Sequence, residues 1–258
     1  MDLVVDVGNS ETVIGLTDGS PPEVEASWRI STSVPRTTDE FRLLLRGLIE
    51  ESGVPLEEIR RSVLCSVVPG VTRALTQALG SLLKREAIVV RGGEGLPITL
   101  AVDEPMTVGA DRIMNTLGAK ELFGRDTIAV DLGTATTFDC ITADGVFMGG
   151  VIAQGLKAGI EWLGRRTAML PNVELTPPER VIGVRTETCM ESGVFYSAVE
   201  GIDGIVRRIR EEWARDDILV IATGGFAEVI GPHCRSVDRI EPFLTLQGLA
   251  LAGDYLDR

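Results

Sequence analysis

Twice in this chain an aspartate closes a short apolar run, and each time a glycine and a small hydrogen-bonding residue follow. Residues 3–10 read LVVDVGNS and residues 128–134 read IAVDLGT. Asp6 and Asp131 stand 125 positions apart, close to half of the 258 residues. A carboxylate at a strand end can hold a Mg²⁺ through its waters while nucleotide phosphates supply the other ligands. The glycine two residues on lets the backbone turn sharply and approach a ligand. Asn9 and Ser10, and the Thr-Ala-Thr-Thr that begins at Thr134, then offer amide and hydroxyl groups to phosphate oxygens. A single copy would suit a strand ending in an ordinary Asp-Gly type of turn equally well. Two copies at half-chain spacing point instead to a duplicated phosphate-handling device, and so to nucleotide-dependent phosphoryl transfer. The device is not a P-loop, because the chain has no Gly-x-x-x-x-Gly-Lys-Ser/Thr.

Gly109-Ala110-Asp111-Arg112 sits between a Pro-containing loop and a helical pattern. Asp111 could accept a proton from a hydroxyl as it attacks phosphorus. Phosphoryl transfer asks for positioning more than for strong basicity, so an ordinary aspartate can serve. Arg112 offers a planar fork suited to a substrate carboxylate. An Asp near a helix N-terminus is also what capping and the helix dipole favour. Thr223-Gly224-Gly225 ends a strand and opens a helix, where paired glycines and a helix N-terminus suit a nucleotide or simply make a turn. Gly149-Gly150 could admit substrate to the backbone or allow tight sheet packing. Gly193, Gly201 and Gly204 lie inside one helical pattern, each about 1 kcal/mol worse than alanine, which predicts close helix packing and, by extension, a subunit interface.

These residues need elements to position them. Thr37 and Glu40 have capping-box spacing ahead of Phe41, Leu44, Leu45, Leu48 and Ile49 at helical period, with Gly53 as a stop. Residues 62–68 read as a strand and 74–83 as a helix; residues 87–90 read as a strand, 91–108 as a loop, and 109–123 as a helix. The second half restarts with strands at 126–131, 136–142 and 146–153, helices at 156–168 and 186–213, a strand at 218–222, and helices at 226–231 and 245–256. The pattern is α/β, with expected domains at 1–122 and 123–258.

Composition narrows the functional classes. A formal charge of −13 argues against a nucleic-acid binder. The dense basic spots, Arg165-Arg166 and Arg207-Arg208-x-Arg210, read as solvated helix faces. The four cysteines are scattered and His233 is the single histidine, so neither a zinc site nor Ser-His-Asp chemistry is expected. The thiols read as reduced and mostly buried, in a cytosolic protein. Met1-Asp2 runs at once into a strand, so no signal peptide is expected, and no apolar run suits a membrane helix.

Taken together, the residues resemble the type III pantothenate kinases, of the acetate and sugar kinase, actin and heat-shock ATPase superfamily. The resemblance runs in order through Asp6 to Ser10, Trp28 to Thr32, Thr38 to Glu40, Ser66 to Pro69, Gly109 to Arg112, Asp131 to Thr137, Gly149 to Ile152, Thr186, Ser192-Gly193, Thr223 to Gly225, and Leu244 to Gly248. It implies two duplicated ribonuclease-H-like (actin-like ATPase) halves with a nucleotide cleft between them. The first carries one phosphate loop; the second carries the other loop and the adenosine segment. The implied reaction is ATP-dependent phosphorylation of pantothenate to 4′-phosphopantothenate, the first step toward coenzyme A. By resemblance, Asp6, Val7, Gly8, Asn9, Ser10, Glu11, Thr12 and Val13 form the ATP loop, with Asp6 able to meet Mg²⁺ through water, and Thr134 also contacts ATP. Asp111 is the implied general base. Gly109, Ala110, Asp111, Arg112 and Thr186 form the implied pantothenate pocket, and Asp131 holds K⁺ or NH₄⁺. The implied assembly is a cytoplasmic homodimer whose pantothenate site borders the subunit interface.

The chain departs from the family pattern at three places. Val102 stands where the family has a tyrosine that contacts pantothenate, Gln154-Gly155 replaces Pro-Gly, and Ser197 replaces a helix glycine. The competing readings are another small-molecule kinase of the superfamily and a catalytically weak, kinase-derived regulatory protein.

Overall fold

In the computed structural model, residues 1–160, 173, 175–215 and 217–257 are described. The chain divides into two units: residues 1–124 with 143–147 and 243–258, and residues 125–142 with 148–242.

The first unit is built on a five-stranded sheet of order β3-β2-β1-β4-β5. β1 (Asp2–Val7), β2 (Glu11–Asp18) and β3 (Glu23–Ser31) form an antiparallel meander, while β4 (Arg61–Ser66) and β5 (Ile88–Val90) run parallel to β1. Side chains alternate across a strand, and the two faces of β1 have different neighbours. Leu3, Val5 and Val7 pack with Phe41, Leu45 and Ile49 of α1 (Thr38–Ser52) and Leu75 and Leu79 of α2 (Pro69–Leu83). Val4 instead packs with Ile113, Met114 and Leu117 of α3 (Ala110–Phe123) and Leu246 and Leu249 of the helix Leu244–Leu256. The capping box is present: Thr37 Oγ1 accepts from the Glu40 amide, and the Glu40 carboxylate accepts from the Thr37 amide. Gly53 ends α1 in the left-handed conformation.

The second face of β1 is a ladder of cross-strand pairs with β4. Asp2 stands opposite Arg61, Val4 opposite Val63, and Asp6 opposite Cys65. Its first rung is an ion pair, with Arg61 Nη2 at 2.7 Å from Asp2 Oδ2 and both side chains almost fully buried. Arg61 also reaches Asp254 and the carbonyl of Ala250, which ties the C-terminal helix to the sheet.

The second unit repeats the plan. Five strands of a six-stranded sheet run β9-β8-β7-β10-β11, the same third-second-first-fourth-fifth order. β7 (Thr127–Leu132) pairs antiparallel with β8 (Ala135–Ile141) and parallel with β10 (Leu219–Thr223); β9 spans Val146–Gln154 and β11 Arg239–Ile240. β1 and β7 are both six residues long, with Asp at the fifth position and the same order of buried and half-buried residues. The core joins Ile128, Val130 and Val220 to Phe195, Val199 and Val206 of the long helix Thr186–Trp213. These are two ribonuclease-H-like halves, and the mixed α/β architecture matches the expected class.

Several elements differ from the sequence reading. The helix Leu244–Leu256, grouped by sequence with the second half, belongs with the first unit, where it packs on α3. Its apolar periodicity marks a buried face but not which sheet covers it. The stretch read as loop contains β6 (Thr99–Leu100), which pairs in parallel with Val146 and Phe147, and a 3₁₀ turn at Pro105–Thr107. Among the described residues, a Cβ at Gly193, Gly201 or Gly204 would meet nothing within 4 Å, so no described neighbour accounts for the long helix's glycines. Of the helix expected at 156–168, residues 156–160 are helical; Arg165-Arg166 lies outside the described residues. Arg207 and Arg208 are exposed, as expected, but Arg210 turns inward to the Ile218 carbonyl. Cys65 and Cys234 are buried, Cys140 is half-buried and Cys189 is exposed. Among the described residues no helix is long and apolar enough to cross a membrane.

Candidate active site

In the first unit, the turn after β1 is pinned by its own backbone. The Gly8 amide donates to the Glu11 carbonyl at 3.0 Å, and the Thr32 amide donates to the Ser10 carbonyl at 2.9 Å. The hydroxyls of Thr12 and Thr32 meet at 2.8 Å in the interior. Val7 and Thr12 are buried, so either would reach a ligand through its backbone, whereas Asn9 and Glu11 are exposed and Asp6, Gly8, Ser10 and Val13 are half-buried. The stretch Trp28 to Thr32 lies in and just beyond β3, the neighbour of this loop's second strand.

Asp111 occupies the second position of α3, which Gly109 caps without any side-chain bond. Its Oδ1 accepts from the Arg112 amide at 2.8 Å, the local bond that a helix N-terminus favours. A Cβ at Gly109 would fall 2.4 Å from that oxygen, so only glycine leaves the carboxylate where it is. The Arg112 guanidinium lies 4.9 Å from the centre of the buried Phe147 ring. A cation over an aromatic face is attracted to the ring, which helps hold its orientation. The Phe147 carbonyl also accepts from the amide of Ala101, the residue before Val102, and Val102 is half-buried. Phe147 thus joins Arg112 to the Val102 loop, a link no sequence motif announced.

β4 joins Asp6 to Asp111. Cys65 Sγ donates to Asp6 Oδ1 at 3.2 Å. The next residues turn back on the loops: the Val67 amide donates to the Val7 carbonyl, and the Val67 side chain lies 3.8 Å from where a Gly109 Cβ would stand. Burial pushes the Cys65 thiol well up, and the negative charges of Asp6 and Asp111 push it further.

The second unit carries Asp131, Thr134 and Thr186. Asp131 is half-buried at the end of β7, and Thr134 is exposed in the turn that follows. Two glycines press on this turn. A Cβ at Gly155 would lie 2.1 Å from the Thr134 carbonyl oxygen, and one at Gly224 would lie 2.3 Å from Asp131 Oδ1. Gly224 also has φ +87, a conformation that costs a side-chain-bearing residue roughly 1–2 kcal/mol. Gly224→Ala is therefore expected to displace the Asp131 carboxylate, lower the melting temperature slightly and reduce kcat/KM more than tenfold. A variant with unchanged steady-state kinetics would show that the carboxylate's position has no part in turnover.

Thr186 begins the long helix and is exposed. With Cys189, Gly193, Ser197, Gln154 and Leu156 it lines a largely apolar groove of about 770 Å³. Two of the three departures from the family pattern, Gln154-Gly155 and Ser197, therefore border the groove of one candidate substrate residue. His233 is exposed, in a 3₁₀ turn, with its ring edge-on to Phe195 at 4.9 Å. Among the described residues, no group of three or more His, Cys, Asp or Glu could hold a metal.

The family profile described as type III pantothenate kinase matches residues 2–208. A type III pantothenate kinase from Moorella thermoacetica is 41% identical over 251 residues, covering 97% of this chain and 98% of its own. Another from Streptomyces avermitilis is 42% identical over 258 residues, with 97% of each chain covered. Among solved structures, a conserved Baf-family protein from Campylobacter jejuni superposes with TM-score 0.61 at 15% identity, covering 98% of this chain and 97% of its own. A ROK hexokinase from Thermus thermophilus gives TM-score 0.51 at 11% identity, with 97% of each chain covered. These structures share the fold of the duplicated halves. The chain belongs to the type III pantothenate kinases.

Proposed function

We propose that this chain carries out its family's reaction, the ATP-dependent phosphorylation of pantothenate, with Asp111 as general base. The observation that carries the assignment is the first turn of α3. Gly109 leaves room for the Asp111 carboxylate, whose Oδ1 is tied to the Arg112 amide, so that Oδ2 can take the proton of the substrate hydroxyl. Arg112, held against Phe147, would grip the pantothenate carboxylate. Residues 6–13 would meet the ATP phosphates through the backbone and side chains of the Gly8–Glu11 turn, and Thr134 would add a hydroxyl.

As a kinase of this family the protein uses ATP and a divalent metal. The absence of a three-carboxylate cluster among the described residues suits a Mg²⁺ that arrives on nucleotide phosphates and needs one protein carboxylate through water. Asp6 would be that carboxylate, and the bound ion would neutralise charge on the phosphates. Asp131, fixed against Gly224, would hold K⁺ or NH₄⁺. Thr186 would complete the pantothenate pocket. A second copy of the chain would cover the exposed Val181, Ile182 and Val184 and the open backbone at Gly193, Gly201 and Gly204.

The test is ADP release measured with pantothenate and with sugars or short-chain carboxylic acids as acceptors, in K⁺ and in Na⁺. Turnover with pantothenate and a requirement for K⁺ or NH₄⁺ are expected. A preference for another acceptor would favour a different superfamily kinase; pantothenate bound in calorimetry without turnover would favour a regulator. Val102 lacks the hydrogen-bonding hydroxyl of the family's tyrosine, and a net hydrogen bond is worth about 0.5–1.5 kcal/mol. Val102→Tyr is accordingly expected to lower the KM for pantothenate by about two- to twelvefold. An unchanged or higher KM would mean that the loop has no room for the ring.

A further inference from the structure

Cys65 has no part in the roles assigned so far, yet it stands in parallel register with Asp6 and is fully buried. Around it the core is apolar: Val4, Val63, Val90, Ala110 and Ile113 belong to the same cluster. A small apolar residue would satisfy that packing. What the thiol adds is a donor, and the S–H is directed at Asp6 Oδ1, 3.2 Å away. The duplicated strand pairing does not produce this bond automatically. In the second half Thr223 stands in the same register opposite Asp131 and is equally buried, but its hydroxyl has no hydrogen-bond partner among the described residues.

We propose that Cys65 is a positioning residue for phosphoryl transfer: its thiol ties down one oxygen of Asp6, fixing the direction in which the other is presented to the metal-bearing nucleotide. This rests on Asp6 meeting the nucleotide's metal. The bond acts on one oxygen of the carboxylate and so on the presentation of the other.

The test uses the full chain with Cys65→Val, Cys65→Ala, Cys65→Ser and Asp6→Asn. Melting temperature reports folding, and calorimetry measures a non-hydrolysable ATP analogue with Mg²⁺ and, separately, with EDTA. Cys65→Val keeps the bulk and removes the donor. It is expected to weaken the Mg²⁺-dependent binding about three- to tenfold, the scale of one hydrogen bond, and to leave metal-free binding unchanged. Cys65→Ser restores a donor and is expected to stay within about twofold of the parent. Pantothenate KM should not move in either. If valine does not fold, alanine against serine makes the same comparison.

Equal Mg²⁺-dependent binding in the parent and Cys65→Val, with Asp6→Asn impaired, would overturn the role of Cys65 alone. Equal losses in the serine and donorless variants, or parallel loss of metal-free binding, would reduce Cys65 to a packing residue and overturn it too. No effect of Asp6→Asn on the Mg²⁺-dependent part would remove the assignment of Asp6 and the proposal with it.

Discussion

Replacing Asp111 by asparagine is expected to lower kcat by about 10²–10⁴-fold, the usual contribution of a positioned general base. The amide is nearly isosteric, and its oxygen can still accept from the Arg112 amide, so α3 keeps its first turn. Melting temperature and nucleotide affinity should therefore stay close to those of the parent. The KM for pantothenate should change far less than kcat, because Arg112 still holds the carboxylate end. The measurement is steady-state turnover at saturating ATP, with calorimetric nucleotide binding as the control. Near-normal turnover would withdraw the role of base and leave Asp111 as a first-turn residue bonded to the Arg112 amide.

The second large effect falls on stability. Asp2 accepts hydrogen bonds from both Arg60 and Arg61, and Arg61 is almost as buried as Asp2 itself. Removing one member of a buried pair strands the other charge, at about 3–5 kcal/mol. Asp2→Ala should lose an amount toward the lower end, since Asp254 remains beside Arg61, although that carboxylate is half exposed and weaker as a partner. Urea unfolding of the variant and parent gives the difference, and Asp2→Asn, which keeps an acceptor, should lose less. A loss below about 1 kcal/mol would mean that Asp254 and the Ala250 carbonyl suffice for Arg61.

Much of this was legible before any coordinates. The Asp-x-Gly repeat announced a duplicated fold because a strand, a turn and a hydroxyl-bearing segment leave the same short-range trace twice. The capping box of α1 was legible for the same reason: Thr37 and Glu40 are three residues apart and need nothing else. What sequence could not supply was pairing across distance. Cys65 is 59 residues from Asp6, and only the parallel register of β1 and β4 makes it a neighbour. Phe147 beneath Arg112 is a long-range meeting of the same kind. The long helix's glycines are a different case. A glycine in a helix reads as a demand for close packing, and among the described residues nothing lies within 4 Å of a Cβ placed at any of these three. Gln154-Gly155 was noted as a departure, yet only the nearness of Gly155 to the Thr134 carbonyl shows why a residue without a side chain is retained there.

The helix Leu244–Leu256 has a consequence for how the protein is made. It belongs to the first unit, and Gly248 lies so close to α3 that a Cβ there would stand 2.1 Å from the Met114 carbonyl oxygen. Synthesis proceeds from the N-terminus, and domains tend to fold as they emerge from the ribosome. The sheet that carries Asp6 and the helix that carries Asp111 are therefore translated early, but their shared face stays uncovered until the entire second unit has been made. During that interval Val4, Val63, Ile113 and Leu117 lack their final cover. The nascent first half is then the form most exposed to chaperones, proteases and aggregation. The late arrival of one helix completes the half that would carry the base.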